Sequence, residues 1–169
     1  AVRRAVVAAR LAHRGWARTP WRQRIAILEQ AARNLAARRF DLGVAGLLEV
    51  GKSRFEAIGE AEEALALIPF YAEEMRRNDG YVRALASAVP GETGTTRLKP
   101  YGVFAVIGPY NFPVATPINM MTSALITGNA VVFKPSPGAG LTASLVVRCF
   151  LEAGLPPGVL NLVCGGDAT

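Results

Sequence analysis

Cysteine and histidine are nearly missing from this sequence: two cysteines, Cys149 and Cys164, and one histidine, His13, in 169 residues. This excludes a disulfide framework, offers no metal-ligand spacing, and fits a reducing compartment, so a cytoplasmic location is expected. No apolar run is long enough to cross a bilayer, and no membrane partner is expected. The opening residues, AVRRAVVAARLAHRGW, lack the layout of a secretory signal and read as a chain that begins inside a helix. Lysine is scarce, three residues against sixteen arginines. Acid is scarcer still in the first forty residues, where Glu29 stands against ten arginines. That stretch therefore carries +9 and the remainder −3 of a total of +6. No aromatic platform or nucleic-acid motif accompanies these charges, so they read as solvated helix faces and no nucleic-acid partner is expected. Strong salt-dependent DNA binding would be the sign of the opposite case. A G-x-G-x-x-G fingerprint is also missing, so an ordinary Rossmann pyrophosphate turn is not supported.

What is present is a globular composition, 51% hydrophobic and 19% charged, enough for one domain with a real core. Residues 1–89 read as helices. Ile25, Leu28, Ala32, Leu35 and Ala36 recur at helical spacing with arginines on the other face. Thr19-Pro20 reads as a capping residue followed by a first-turn proline. Ser53 with Glu56 reads as a capping box opening a helix that Asn78-Asp79-Gly80 ends. Between these helices, GLLEVGKS (residues 46–53) fits the spacing of a phosphate-binding P-loop. A P-loop needs a buried strand entering a flexible turn, whereas here the entry is helical, the variable positions are bulky, and Glu49 would repel phosphate. The stretch reads instead as a helix ending at Gly51-Lys52, with Ser53 capping the next one.

Residues 90–101, PGETGTTRLKPY, read as a turn and a short extended segment. Residues 102–169 then alternate. GVFAVIGP, NAVVFKP and GVLNLVCGG read as buried strands, and VATPINMMTSALITG and GLTASLVVRCFLEAG as helices, the last with Leu141, Leu145 and Cys149 on one face. Such alternation implies an α/β fold: amino-terminal helices followed by half of a doubly wound, Rossmann-like parallel sheet. Ligands of such sheets bind at the carboxyl ends of the strands. Asn111 follows the first strand there; its amide either donates to a carbonyl oxygen gaining charge or only shapes the turn before Pro113. Lys134 follows the second strand and either binds an anionic or hydroxyl-rich ligand or is a plain surface lysine.

Four ordered segments carry a family resemblance: EVGK (49–52), PYGVFAVIGPYNFP (100–113), GNAVVFKPS (128–136) and EAGLPPGVLNLVCGG (152–166). They resemble the motifs of the NAD(P)-dependent aldehyde dehydrogenases, and the resemblance covers essentially the whole chain. LLEVGKSRFEAIGEAEEALALIPFYAEEMRRNDGY and GPYNFP further resemble the branch acting on glutamate semialdehyde, the open form of pyrroline-5-carboxylate, and succinylated relatives. The resemblance implies NAD or NADP as cofactor and a small aldehyde as substrate. It assigns Asn111 to the oxyanion hole that stabilises a cysteine thiohemiacetal. Ile107, Gly108, Pro109 and Tyr110 fall on the cofactor-lining strand end, Lys134 on the lysine that bonds the adenosine ribose, and Ser136 and Gly165 near the adenosine end. TTRLKP resembles part of the family's oligomerisation ribbon, implying a homo-oligomer of the intact protein. Tyr110 stands where many members have Trp, and Pro137 where many have a ribose-binding Glu. The nucleophilic cysteine, the general-base glutamate and the Gly-Ser turn near the pyrophosphate have no counterpart in these residues, which implies an amino-terminal piece of such an enzyme. Neither Cys149 nor Cys164 matches the nucleophile, and both read as packing residues. The competing expectation is a non-catalytic nucleotide-binding or interaction module that keeps the fold without the chemistry.

Overall fold

The structure, a computed structural model, describes residues 1–166. Four helices come first: α1 (Val2–Trp16), α2 (Trp21–Ala37), α3 (Arg39–Val50) and α4 (Arg54–Arg77). Two short strands, β1 (Val82–Leu85) and β2 (Gly94–Arg97), pair antiparallel as an exposed ribbon. Then β3 (Val103–Ile107), α5 (Ala115–Ile126), β4 (Ala130–Lys134), α6 (Gly140–Glu152) and β5 (Leu160–Leu162) alternate as the sequence implies.

Strands β3, β4 and β5 form a parallel sheet in that order, with Ile107 opposite Lys134 and Phe133 opposite Leu162. Strand geometry turns successive side chains to opposite faces, and β4 obeys it. Val131 and Phe133 enter the main core with Ile118, Leu125, Val146 and Phe150 of the crossover helices. Ala130 and Val132 meet Ala9, Ala5 and Val6 of α1 on the other face. The chain is thus half of a doubly wound α/β sheet, with α1 supplying the second layer of helix.

Arg24 breaks the expectation of a solvated arginine face on α2. It is buried, and its Nε donates to Ile126 O at 2.8 Å while Nη1 donates to Thr19 O. Trp16 Nε1 donates to Leu125 O at 3.0 Å. Arg24 thus satisfies a carbonyl at the end of α5, Trp16 adds a further donor to Leu125 O, which already accepts Gly128 N at 2.9 Å, and the cation also suits the negative end of the helix dipole. Thr19 does not cap α2. Its hydroxyl donates back to Gly15 O at 3.3 Å, closing the end of α1, and Pro20 takes the cap position. The stretch to residue 89 is not helical throughout, because Val82–Leu85 forms β1 against Gly94–Arg97. On α6 the buried face runs through Thr142, Ala143, Val146, Cys149 and Phe150; Leu141, expected on the same face as Cys149, lies in the first turn one position before that face begins and is exposed. The end of the segment 102–169, residues 167–169, lies outside the described residues.

The turn after α4 has one position that only glycine fills. Gly80 has φ +67°, and a Cβ there would lie 2.3 Å from the Trp21 ring. Gly80→Ala is expected to destabilise by roughly 2–4 kcal/mol, from left-handed strain plus overpacking against a ring that opens α2. Urea unfolding with an unchanged slope and a lowered midpoint is the expected readout; an unshifted midpoint would show that the Trp21 ring swings away freely.

Candidate functional site

The site is built from the carboxyl ends of the three parallel strands and from the loop between α3 and α4. Beyond β3, Gly108 N continues the ladder to Lys134 O at 2.9 Å. Gly108 is buried, and a Cβ there would stand 3.1 Å from both the Phe133 ring and Pro117, so the strand end lies hard against α5. The chain then runs out through Pro109, Tyr110, Asn111 and Phe112 before α5 begins.

That excursion is tethered at three points. Tyr110 Oη donates to Val50 O at 3.1 Å. Phe112 lies under the Lys52 ammonium, 4.1 Å from Nζ to the ring centroid, a cation–π contact. Val114 N and Ala115 N donate to Glu60 Oε1 at 2.7 and 2.9 Å. Glu60 Oε2 in turn meets Lys52 Nζ at 2.8 Å, and the side chains of Glu60 and Lys52 are only 2% and 12% exposed. Asn111 is exposed between these tethers. With Tyr110, Phe112, Lys52, Glu60 and Glu63 it lines a cleft of about 550 Å³.

The second strand end is arranged in the same manner. After Lys134, which is half-buried, come Pro135, Ser136, Pro137 and Gly138, then α6. Glu49 receives the first N–H groups of that helix: Leu141 N on Oε1 at 2.7 Å, and Thr142 N and Oγ1 on Oε2, each at 2.7 Å. A Cβ built on Gly138 would lie 3.7 Å from the Tyr110 ring, so Tyr110 stands between this loop and Val50. The third strand end is held by Val163 N donating to Phe133 O at 2.8 Å; exposed Cys164 and half-buried Gly165 follow.

The structure therefore brings Ile107 and Lys134 side by side as register partners, with Ser136 and Gly165 on the loops that continue the same edge. Asn111 and Tyr110 belong to the neighbouring cleft, which Lys134, Ser136 and Gly165 do not line. Sequence reasoning passed over Glu60, because an acid among the acids of α4 looks like a solvated face. It saw Glu49 only as hostile to phosphate, whereas the carboxylate takes the place at a helix amino end that a phosphate would. The P-loop spacing is thereby resolved: α3 ends at Gly51 with φ +73°, and Ser53 and Glu56 form the capping box. The Ser53 hydroxyl and N–H hold the Glu56 carboxyl below the usual range.

Neither cysteine enters the cleft. Cys149 is fully buried, its Sγ 3.5 Å from Arg38 Nη1, and burial pushes its thiol up. No helix among the described residues is long and apolar enough to cross a membrane.

A three-stranded parallel sheet with both crossovers on one face and its loops gathered at the carboxyl edge defines a protein of the doubly wound α/β class. Within that class the sequence is specific: it matches the aldehyde dehydrogenase family over residues 1–169, and the chain belongs to that family. It is 41% identical over 168 residues to an N-succinylglutamate 5-semialdehyde dehydrogenase of Klebsiella pneumoniae, covering 99% of this chain and 34% of that protein. It is 39% identical over 164 residues to an alpha-ketoglutaric semialdehyde dehydrogenase of Bacillus subtilis, covering 97% and 33%. Among solved structures, a D779W mutant of proline utilization A of Bradyrhizobium japonicum superposes with a TM-score of 0.94 at 37% identity, covering 98% of this chain and 17% of that one. A 1-pyrroline-5-carboxylate dehydrogenase from Thermus, solved with bound NAD, gives 0.90 at 33% identity, covering 97% and 32%. The chain thus spans about a third of the length of the curated relatives it matches.

Proposed function

We propose that this chain is the cofactor-side portion of an NAD(P)-dependent oxidoreductase that converts a semialdehyde of the glutamate type to its carboxylate. The observation that carries this reading is the exposed Asn111 amide, held at the mouth of a cleft at the carboxyl edge of a parallel sheet. In the proposed reaction a cysteine thiolate adds to the aldehyde carbon and the carbonyl oxygen becomes an alkoxide. The Asn111 amide donates to that oxygen as charge develops, so the interaction strengthens in the transition state. The nucleophile and the general base are not among these residues. The cofactor, when bound, supplies the hydride acceptor.

The strand edge suits a dinucleotide, though not in the ordinary Rossmann manner. Both helix amino ends that face it already hold carboxylates, Glu60 at α5 and Glu49 at α6. A pyrophosphate therefore finds no free helix end here. What remains is an apolar shelf at Ile107, 69% exposed, with Gly108, Pro109 and Tyr110 beside it, and Lys134 on the next strand. Lys134 has no ion-pair partner among the described residues. In the proposed reading it bonds ribose hydroxyls, with Ser136 and Gly165 toward the adenosine end. The intact protein is proposed to be cytoplasmic and homo-oligomeric, the exposed β1–β2 ribbon being the surface suited to self-association.

Pro137 bears on which cofactor is used. It is exposed on the loop after β4 and offers neither charge nor acceptor to a ribose. A carboxylate there would bind a free 2′-hydroxyl and repel a 2′-phosphate. The intact enzyme is accordingly expected to use NAD and also accept NADP, and Pro137→Glu to shift preference toward NAD chiefly by weakening NADP. The measurement is the ratio of kcat/KM for the two cofactors in both versions; an unchanged ratio would mean that another residue reads the ribose. The function itself is tested by steady-state oxidation of succinylglutamate, ketoglutarate and glutamate semialdehydes by the full-length protein. Turnover of none of them would remove the substrate assignment.

A further inference from the structure

We infer that Lys52 and Glu60 are positioning residues for Asn111: the buried pair fixes the carboxyl-terminal side of the excursion between β3 and α5, opposite the end held by the sheet, and thereby aims the amide. This rests on reading Asn111 as the oxyanion donor, and deepens it.

The geometry is specific. Asn111, its own side chain exposed between the tethered Tyr110 and Phe112, lies on a six-residue connection from Gly108 to Pro113. Its amino-terminal end is fixed by the sheet, through Gly108 N to Lys134 O. Its carboxyl-terminal end is fixed by one carboxylate oxygen of Glu60, which accepts the N–H groups of both Val114 and Ala115. The other Glu60 oxygen takes Lys52 Nζ at 2.8 Å, and the same ammonium covers the ring of Phe112, the residue next to Asn111. One cation therefore neutralises the buried carboxylate that anchors the start of α5 and also holds down the neighbour of the functional amide. A buried charge is tolerated only when it is paired and hydrogen-bonded, and Glu60 has three donors for its two oxygens. A plain helix cap would need only the two backbone donors, and could be made by an exposed Ser or Asp. The added lysine and its contact with Phe112 are what a cap does not require and an aiming device does.

The two residues come from different elements, Lys52 from the α3–α4 loop and Glu60 from the second turn of α4. The amide is thus referenced to the helical layer and not only to the sheet. A misplacement of the order of 1 Å in a catalytic group can lower a rate by about a hundredfold. Loss of this anchor should therefore appear in the chemical step.

The test is a double-mutant cycle in the full-length enzyme. Lys52→Met is expected to lower kcat by roughly ten- to a hundredfold, with KM for NAD unchanged within about twofold, since Lys134 and the strand edge are untouched. Combined with Asn111→Ala, it should cause almost no further loss, because there is no amide left to aim. A general structural role would instead multiply the two losses. If Lys52→Met fails to fold, as an unpaired buried carboxylate invites, Lys52→Met/Glu60→Gln removes both charges while leaving an oxygen for the Val114 N–H. It should show the same loss and the same disappearance in the Asn111→Ala background. A folded variant with wild-type kcat, or factors that multiply, overturns the inference while the oxyanion reading stands. An Asn111→Ala enzyme with undiminished kcat overturns both.

Discussion

The 169-residue chain on its own is expected to produce neither NADH from NAD nor NADPH from NADP with any aldehyde. Aldehyde oxidation through a thiohemiacetal needs a thiolate within reach of the carbonyl carbon and a base to activate water in the second half-reaction. Neither cysteine qualifies. Cys149 is sealed in the core, where burial disfavours its thiolate, and Arg38 beside it is already engaged by Glu152 at 2.6 Å. Cys164 is exposed but absent from the cleft where Asn111 lies. Steady NADH formation by the pure chain that disappears in Cys164→Ser would overturn this expectation. It would also require the thiol and the Asn111 amide to meet across the strand edge.

In the full-length enzyme, Asn111→Ala is expected to reduce turnover by roughly 10²–10³, the usual loss for one preorganised oxyanion donor. Cofactor KM should hardly move, because the amide faces the cleft and not the Ile107–Lys134 shelf. The alternative, that Asn111 merely shapes the turn before Pro113, predicts a folding defect instead. The geometry around Asn111 gives its side chain no part in shaping the turn. The side chain is exposed and makes no hydrogen bond among the described residues, while the turn is fixed by Tyr110, Phe112 and Val114 around it. Circular dichroism and thermal unfolding of the variant beside its kinetics separate the two: a soluble, native-like protein with the lowered kcat is expected, and one that does not fold returns Asn111 to a structural role.

The parallel sheet was readable because each strand is a short apolar run bounded by Gly or Pro, as in Gly102–Pro109 and Gly128–Pro135, and each crossover is long enough only for a helix. The α3–α4 junction was readable because glycine at positive φ and a Ser-x-x-Glu box are local chemistry. What escaped was non-local. Val82–Leu85 is too short to show a period and becomes a strand only by pairing with Gly94–Arg97 across a turn. Arg24 sits among arginines that do face solvent, and nothing in its neighbourhood says that the end of α5, about a hundred residues on, will need its guanidinium. The candidate site divides the same way. Asn111 and Lys134 can be named from their places beyond one strand and at the last residue of the next. Glu60 and Glu49 cannot, because a helix amino end acquires its partner only when the tertiary fold brings it there.

The two carboxylates at those helix ends also set how this edge can be altered. A side chain tethered in place competes with a dissolved anion at an effective concentration that ordinary cellular phosphate cannot match. The amino ends of α5 and α6 are thus occupied from within, and on the proposed reading recognition of a dinucleotide passes to individual side chains on three separate strand ends. Fixed main-chain cradles are shared by every ligand with a phosphate and are hard to retune, since they belong to the fold. The proposed cofactor shelf of Ile107, Lys134 and the Ser136–Gly138 loop is modular, so on that proposal preference for one cofactor over another can drift by single substitutions while the sheet beneath it stays unchanged.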